Sequence, residues 1–117
     1  VRGRYGNVRK VKIDGHTFDS GREAQRYLEL KLLQKARKVT GLVVHPRIPI
    51  IFGGRPVLLR SRGYPNGRRL TYVADFEYLT AGQVVIEDVK MQSGFRTEIY
   101  KIKRALVEHM GIKILET

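Results

Sequence analysis

The spacing of apolar and polar positions divides the chain into short strand-like and helix-like stretches. Val8 to Ile13 alternates as a strand does, and Asp14-Gly15 is a turn returning the chain into Thr17-Phe18. Ser20 and Glu23 stand at capping-box spacing and open a helix on which Ala24, Tyr27, Leu28, Leu32 and Ala36 share a face; Gly41 marks the end of that region. Leu42 to Ile51 reads as one or two strands interrupted by Pro46 and Pro49, which suits an edge or a bulge. Pro65-Asn66-Gly67 predicts a tight turn. Thr71 to Leu79 and Val84 to Val89 are the clearest strand patterns, and the short Ala81-Gly82 connection makes them an antiparallel hairpin. Thr97 predicts the cap of a second helix running to Met110, with Ile99, Ile102, Leu106 and Met110 as its apolar face and Gly111 as its stop. Ile112 to Leu115 is a last short strand. These elements predict one α/β domain over residues 1–117, a mixed central β-sheet flanked by two helices.

Charge changes the picture more than composition does. Hydrophobic residues make up 42% of the 117 residues, enough for a core. There is no cysteine, which excludes a disulfide framework, a thiol nucleophile and cysteine-ligated zinc. No apolar run approaches the ~18–20 residues of a membrane span. His16, His45 and His109 are scattered, and His16 and His45 are expected to be structural or solvent-facing. Against 11 Asp and Glu stand 23 Lys and Arg, a net charge of +12 that predicts a polyanionic partner, nucleic acid first. Residues 1–7 form a basic, glycine-punctuated arm. No acidic residue occurs between Glu29 and Asp75. Within that gap, residues 53–69 form a basic loop or hairpin in which Arg55, Arg60, Arg62, Arg68 and Arg69 stand among glycines, prolines and Tyr64. That stretch reads as a DNA-contacting arm, because neutralising phosphates releases condensed counterions.

In so cationic a chain, carboxylates inside strands stand out. Asp75 lies in Tyr-Val-Ala-Asp-Phe-Glu-Tyr and Asp88 in Val-Val-Ile-Glu-Asp-Val-Lys. Burying them costs several kcal/mol unless they are paired or bind a cation. The hairpin sets the two strands side by side, with Asp88 and Lys90 on one face. Two readings follow. One is a cross-strand salt bridge to Lys90. The other is a site for a hard divalent cation, which explains a second carboxylate so close to the first. Alternation sends Glu87 to the other face, as a surface salt bridge or, if the strand is bulged, in place of Asp88.

Asp75 followed by Asp88-Val89-Lys90, a D-x12-D-x-K spacing with Ala74 where a proline is usual, resembles the signature of the PD-(D/E)XK nuclease superfamily. The wider context is more specific. Phe18-Asp19-Ser20 with Glu23-Ala24, Tyr72-Val73-Ala74-Asp75-Phe76, Glu87-Asp88-Val89-Lys90, and Thr97 with Tyr100 and Lys103 resemble a family of small phage proteins. That family is catalogued as a domain of unknown function and related to phage and archaeal-type Holliday junction resolvases. The resemblance spans roughly residues 5 to 116, and Arg55–Gly67 is its least family-like part.

The resemblance implies a restriction-endonuclease-like fold and a Mg²⁺-dependent endonuclease, with Mn²⁺ as substitute. Asp75, Asp88 and the Val89 carbonyl would be metal ligands. Glu23 would be the third acidic group, although its capping position explains it equally well. Lys90 would polarise the attacking water and neutralise charge on the phosphate in the transition state. Lys103 either snorkels from an apolar face or points to the metal centre. Thr97, Tyr100 and Arg104 would hold the DNA backbone. The resemblance further implies branched DNA, foremost the four-way junction, as substrate, and 5′-phosphate ends. It also implies a homodimer for symmetric cuts and the cytoplasm of a bacterial host. The rivals are a nicking or flap nuclease with the same metal centre, and a non-catalytic nucleic-acid-binding protein whose acidic residues pair with its basic ones.

Overall fold

A computed structural model describes residues 10–91 and 96–117. The expected arm over 1–7 and the first positions of the strand expected from Val8 lie outside the described residues. In chain order the elements begin with β1 (Val11–Ile13), β2 (His16–Phe18) and α1 (Gly21–Lys35). Six short strands follow: β3 (Thr40–Val44), β4 (Arg47–Pro49), β5 (Ile51–Phe52), β6 (Arg55–Pro56), β7 (Leu58–Ser61) and β8 (Tyr64–Arg69). Then come β9 (Thr71–Val73), β10 (Phe76–Thr80), β11 (Gln83–Asp88), α2 (Glu98–His109) and β12 (Ile114–Glu116).

The main sheet has the order β12-β11-β10-β3. It is mixed: β10 pairs antiparallel with β11 and β3, whereas β11 and β12 are parallel, as a strand returning through a crossover helix must be. The β10–β11 turn is Ala81-Gly82, with φ +50° and +76°; two positive φ values match the right-handed twist of the strands they join.

α1 contains no β-branched residue and starts at Ser20, whose hydroxyl accepts the Glu23 N–H at 3.2 Å. It ends where Arg37 turns left-handed (φ +62°) and the Arg37 and Lys38 N–H groups donate to the Gln34 and Leu33 carbonyls. Its buried face is Ala24, Tyr27 and Leu30, packed with Phe18, Val39, Phe76, Tyr78 and Val89. This corrects the expected stripe, because Leu28 and Leu32 face outward and Leu32 is 69% exposed. α2 starts at Thr97, whose hydroxyl accepts the Tyr100 N–H at 3.1 Å, and packs Val107 with Ile86, Ile114, Tyr72, Ala74 and Ile50. Its inner face holds Tyr100, Lys103, Arg104 and Val107, while Ile99 and Ile102, expected inside, are exposed.

The expected Thr71–Leu79 strand is two strands in two different sheets. β9 pairs with β4 as a narrow ribbon, Arg47 opposite Val73, and the chain breaks at Ala74–Asp75 before entering the main sheet as β10. Beyond β4 and β9 the ribbon forks. Ile50 N–H donates to the Leu70 carbonyl (3.0 Å), Val57 to Ile50 (2.9 Å) and Leu70 to Val57 (2.8 Å). From that three-way junction two antiparallel hairpins project, β5–β6 and β7–β8. Buried Ile50 ties the fork to the α2 side of the core. The turn of the second hairpin is Arg62-Gly63, not Pro65-Asn66-Gly67, which lies within β8. Gly67 is used there as a bulge, at φ +90° where the pairing register shifts, and a Cβ on it would come within 2.9 Å of Leu58 Cβ.

Candidate active site

The break at Ala74–Asp75 places Asp75 at the seam between ribbon and sheet. Ala74 N–H donates to the Pro46 carbonyl on the ribbon side, and Asp75 N–H to the Glu87 carbonyl on the sheet side. Continuing the β10–β11 register beyond Phe76 and Glu87 sets Asp75 opposite Asp88. The two are laced together: Asp75 N–H donates to Asp88 Oδ1 (3.1 Å) and Val89 N–H to Asp75 Oδ2 (2.7 Å). Two further elements converge on Asp75. Glu23 comes from the first turn of α1. His45 follows β3, its backbone N–H donating to the Asp75 carbonyl (2.9 Å) and its ring against Phe18. One ligand atom each from Glu23, His45 and Asp75 lie within 4.8 Å of one another, with Glu23 Oε1 4.0 Å from His45 Nε2. His45 holds φ +54°, a left-handed conformation uncommon outside glycine that concentrates at functional positions.

The electrostatics are those of crowded like charges. Burial, then the Glu23 charge, push the Asp75 carboxyl up to about 7; the Asp88 charge adds to this, while the Val89 N–H and Arg96 oppose it. Glu23 is raised as well, first by burial and then by Asp19, with Asp88 contributing. Asp88 is held differently. Its Oδ2 accepts the hydroxyls of buried Tyr72 and of Tyr100 (2.6 Å). Burial, then the Asp88 contact, raise both phenols above their ordinary range. Arg96 caps the cluster: its Nη2 donates to the Val89 carbonyl (3.0 Å) and its guanidinium lies 4.5 Å from the Tyr100 ring centroid.

On the opposite face of β11, Glu87 is fully buried and fully matched. Arg26 of α1 donates to it twice (2.7 and 3.0 Å), with the Tyr78 hydroxyl at 2.6 Å and the Thr117 hydroxyl at 2.9 Å. Burial alone would raise this carboxyl; the Arg26 bonds, helped by Tyr78 and Thr117, outweigh it and hold Glu87 below the usual range. The surface salt bridge expected for Glu87 is therefore an interior one, and β11 carries no bulge that substitutes Glu87 for Asp88.

The structure thus brings together Glu23, Asp75 and Asp88. It adds His45, expected to be structural or solvent-facing, and Arg96. Of the four expected ligands, Asp75 and Glu23 face the cluster, while both Asp88 oxygens and the Val89 carbonyl already accept bonds from protein donors. Lys90 follows the end of β11 with an exposed side chain, its backbone N–H donating to the Thr117 carbonyl. Lys103 is half-buried on the inner face of α2. Thr97 serves as the helix cap and is exposed, while half-buried Tyr100 donates to Asp88 and half-buried Arg104 pairs with Glu116 (2.8 Å) and Glu108 (3.3 Å). Arg55, Arg60, Arg62, Arg68 and Arg69 are exposed on the two outer hairpins. Nothing in local pattern marks His45, Tyr72 or Arg96; His45 and Tyr72 join the site through pairings distant in sequence, Arg96 through Val89 and Tyr100 nearby in the chain.

An O, N, O donor set suits a divalent ion. Three ligands spread evenly at ~2.1 Å around such an ion lie ~3.6 Å apart, so the trio closes around one with a contraction of about an ångström. An imidazole among the donors favours Mn²⁺ or a later transition ion over Mg²⁺. Among the described residues no helix is long and apolar enough to cross a membrane. No curated protein and no solved structure matches the chain. A family model does match residues 2–114, and the chain belongs to that family, described as Protein of unknown function (DUF1064).

Proposed function

We propose that this protein is a divalent-metal-dependent endonuclease that hydrolyses DNA phosphodiester bonds, with branched DNA, foremost the four-way junction, as substrate. One observation carries the reading: in a chain of net charge +12, three carboxylates from α1, the β9–β10 break and β11 converge at one point, and a second cation-ligating type, His45, converges with them. Like charges in one site persist where a cation offsets their repulsion. The resemblance of Asp75 and Asp88-Val89-Lys90 to the PD-(D/E)XK signature supports the same chemistry, and with it a restriction-endonuclease-like fold.

In this reading Glu23, His45 and Asp75 hold the cation. Bound there, Mg²⁺ or Mn²⁺ supplies Lewis-acid polarisation of a phosphoryl oxygen and an acidified water. Asp88 acts as a positioning residue, pinning the Asp75 backbone through Oδ1 while Tyr72 and Tyr100 fix its Oδ2. Lys90 meets the negative charge that grows on the phosphate. Arg96 keeps a positive charge beside the carboxylates and faces the incoming phosphate from the Val89 side. Symmetric cutting of a junction requires two such sites, hence a homodimer. A bacterial cytoplasm, where phage DNA is processed, is the compartment this reading requires.

A specific observation favours a second reading, a nucleic-acid-binding protein without catalysis. Asp88 and the Val89 carbonyl are already satisfied by protein donors, as they would be in a purely structural cluster. Cleavage of labelled four-way junction, linear duplex and single strand, each with Mg²⁺, Mn²⁺ or EDTA, separates the two. The proposal expects metal-dependent junction cuts that vanish in Asp75→Asn. Firm junction binding with no cutting under any metal establishes the second reading instead.

A further inference from the structure

The forked ribbon has a composition that phosphate binding alone does not explain. Each of its two tips pairs an exposed aromatic ring with arginine. At the β5–β6 tip Phe52 is 75% exposed and stands opposite Arg55 across the Gly53-Gly54 turn. At the β7–β8 tip Tyr64 is 51% exposed, adjoins the Arg62-Gly63 turn, and has the Arg68 guanidinium 5.3 Å from its ring centroid. Ile51, Leu58 and Leu59 add exposed apolar surface along the same hairpins. A Phe left three-quarters in water contributes little to folding. Both prongs are held at one root by the Ile50–Val57–Leu70 hydrogen bonds, and that root is joined to the site by the β4–β9 ribbon, which leaves directly from His45-Pro46 and returns into Ala74-Asp75. At ~3.3 Å per extended residue, Phe52 lies at most ~23 Å along the chain from His45.

We propose that the fork is a two-pronged reader of unstacked bases, with Phe52 and Tyr64 stacking on base faces while Arg55, Arg62 and Arg68 take the adjoining phosphates. Rings stack on any base without reading sequence, and flanking arginines track the backbone, the pairing of features that single-stranded nucleic acid requires. A fully stacked duplex offers neither ring a free face; a branch point or a single-stranded arm does. A second copy of this chain is the disfavoured occupant. With Arg47, Arg55, Arg60, Arg62, Arg68 and Arg69 and no acidic residue from 30 to 74, the fork would meet its own like charge. The inference rests on the DNA-binding half of the function proposed above and gives a physical basis for selecting branched substrates.

The test is anisotropy titration of fluorescein-labelled single strand, four-way junction and linear duplex with the full chain in EDTA. Cleavage, and therefore the metal site, plays no part in it. Phe52→Ala is expected to weaken single-strand and junction binding about 5- to 150-fold, the range of one lost base stack, and to leave duplex binding unchanged. Phe52→Trp is expected to restore it and Phe52→Leu not. Arg55→Ala is expected to weaken all three substrates and lower the log–log salt slope by about one. Equal weakening of all three substrates by Phe52→Ala overturns the proposal, as does rescue by Leu. A fall in sedimentation coefficient caused by Phe52→Ala alone would make the tip a self-association surface and overturn it too. A protein that passes these tests yet never cleaves DNA keeps the fork and loses the nuclease.

Discussion

Glu87 and Asp88 are neighbours on one strand, point to opposite faces, and live in opposite electrostatic worlds. Glu87 meets donors only: both reaching nitrogens of Arg26 and the hydroxyls of Tyr78 and Thr117. Asp88 also finds donors, but it faces Asp75 and Glu23, whose carboxyls it helps to raise. One face has matched its buried charge internally. The other has gathered like charges, and burial and crowding raise their carboxyls although Arg96 opposes the shift. A buried charge matched by its own fold is an argument about structure, whereas buried like charges with raised protonation are where chemistry is sought.

The largest effect expected from breaking this contrast is on the matched side. Arg26→Met leaves Glu87 at full burial without its counter-ion, with only the Tyr78 and Thr117 hydroxyls, and should cost ~3–5 kcal/mol in a urea titration, whereas Arg26→Met with Glu87→Met should recover most of the loss. On the unmatched side the sign reverses. Asp75→Asn keeps an oxygen for the Val89 N–H and removes a repelled charge, so at pH 8 in EDTA it should unfold at higher temperature than wild type while losing cleavage.

The pH profile sharpens the same comparison. The native carboxyl of Asp75 titrates near 7, above its ordinary 3.8, so the native state holds this proton more tightly than the unfolded chain. Metal-free stability from this group is full below about 3.8 and is lost as pH rises to about 7; Glu23 acts in the same direction. Glu87, held below its ordinary 4.5, acts oppositely: its contribution is present above that value and is lost as pH falls. Melting curves from pH 4 to 8 in EDTA should therefore show a decline toward alkaline pH that Asp75→Asn flattens. The smallest effect is one of ion preference: His45→Gln should weaken Mn²⁺ binding more than Mg²⁺ binding, read by calorimetric titration of each ion.

What the sequence revealed was local. Ser20 and Thr97 cap the helices they were expected to cap, and the Ala81-Gly82 hairpin by itself brings Asp75 opposite Asp88. What it hid depended on distant partners. Arg26 and Glu87 are 61 positions apart, and no spacing rule joins them. Thr71–Leu79 is one unbroken strand pattern, yet its first third pairs with Arg47–Pro49 outside the main sheet, so the chain breaks at Asp75, and the pairing of β10 with β3 sets His45 opposite it. The helix faces were misread because an apolar residue on a small domain need not be inside: Leu28, Leu32, Ile99 and Ile102 are all exposed, while Tyr100 and Arg104 turn inward to Asp88 and Glu116. Pro65-Asn66-Gly67 has turn chemistry, but the positive φ of Gly67 serves a bulge equally well.

The contrast between the two faces of β11 comes down to whether the Asp75 side takes up a cation. Calorimetric titration of Mn²⁺ into wild type and Asp75→Asn at pH 7.5 measures this directly. One saturable binding event in the wild type, absent in Asp75→Asn while that variant remains folded, is the predicted result. No binding to wild type, or equal binding to both proteins, would contradict the account and leave Asp75, Glu23 and His45 as a structural cluster.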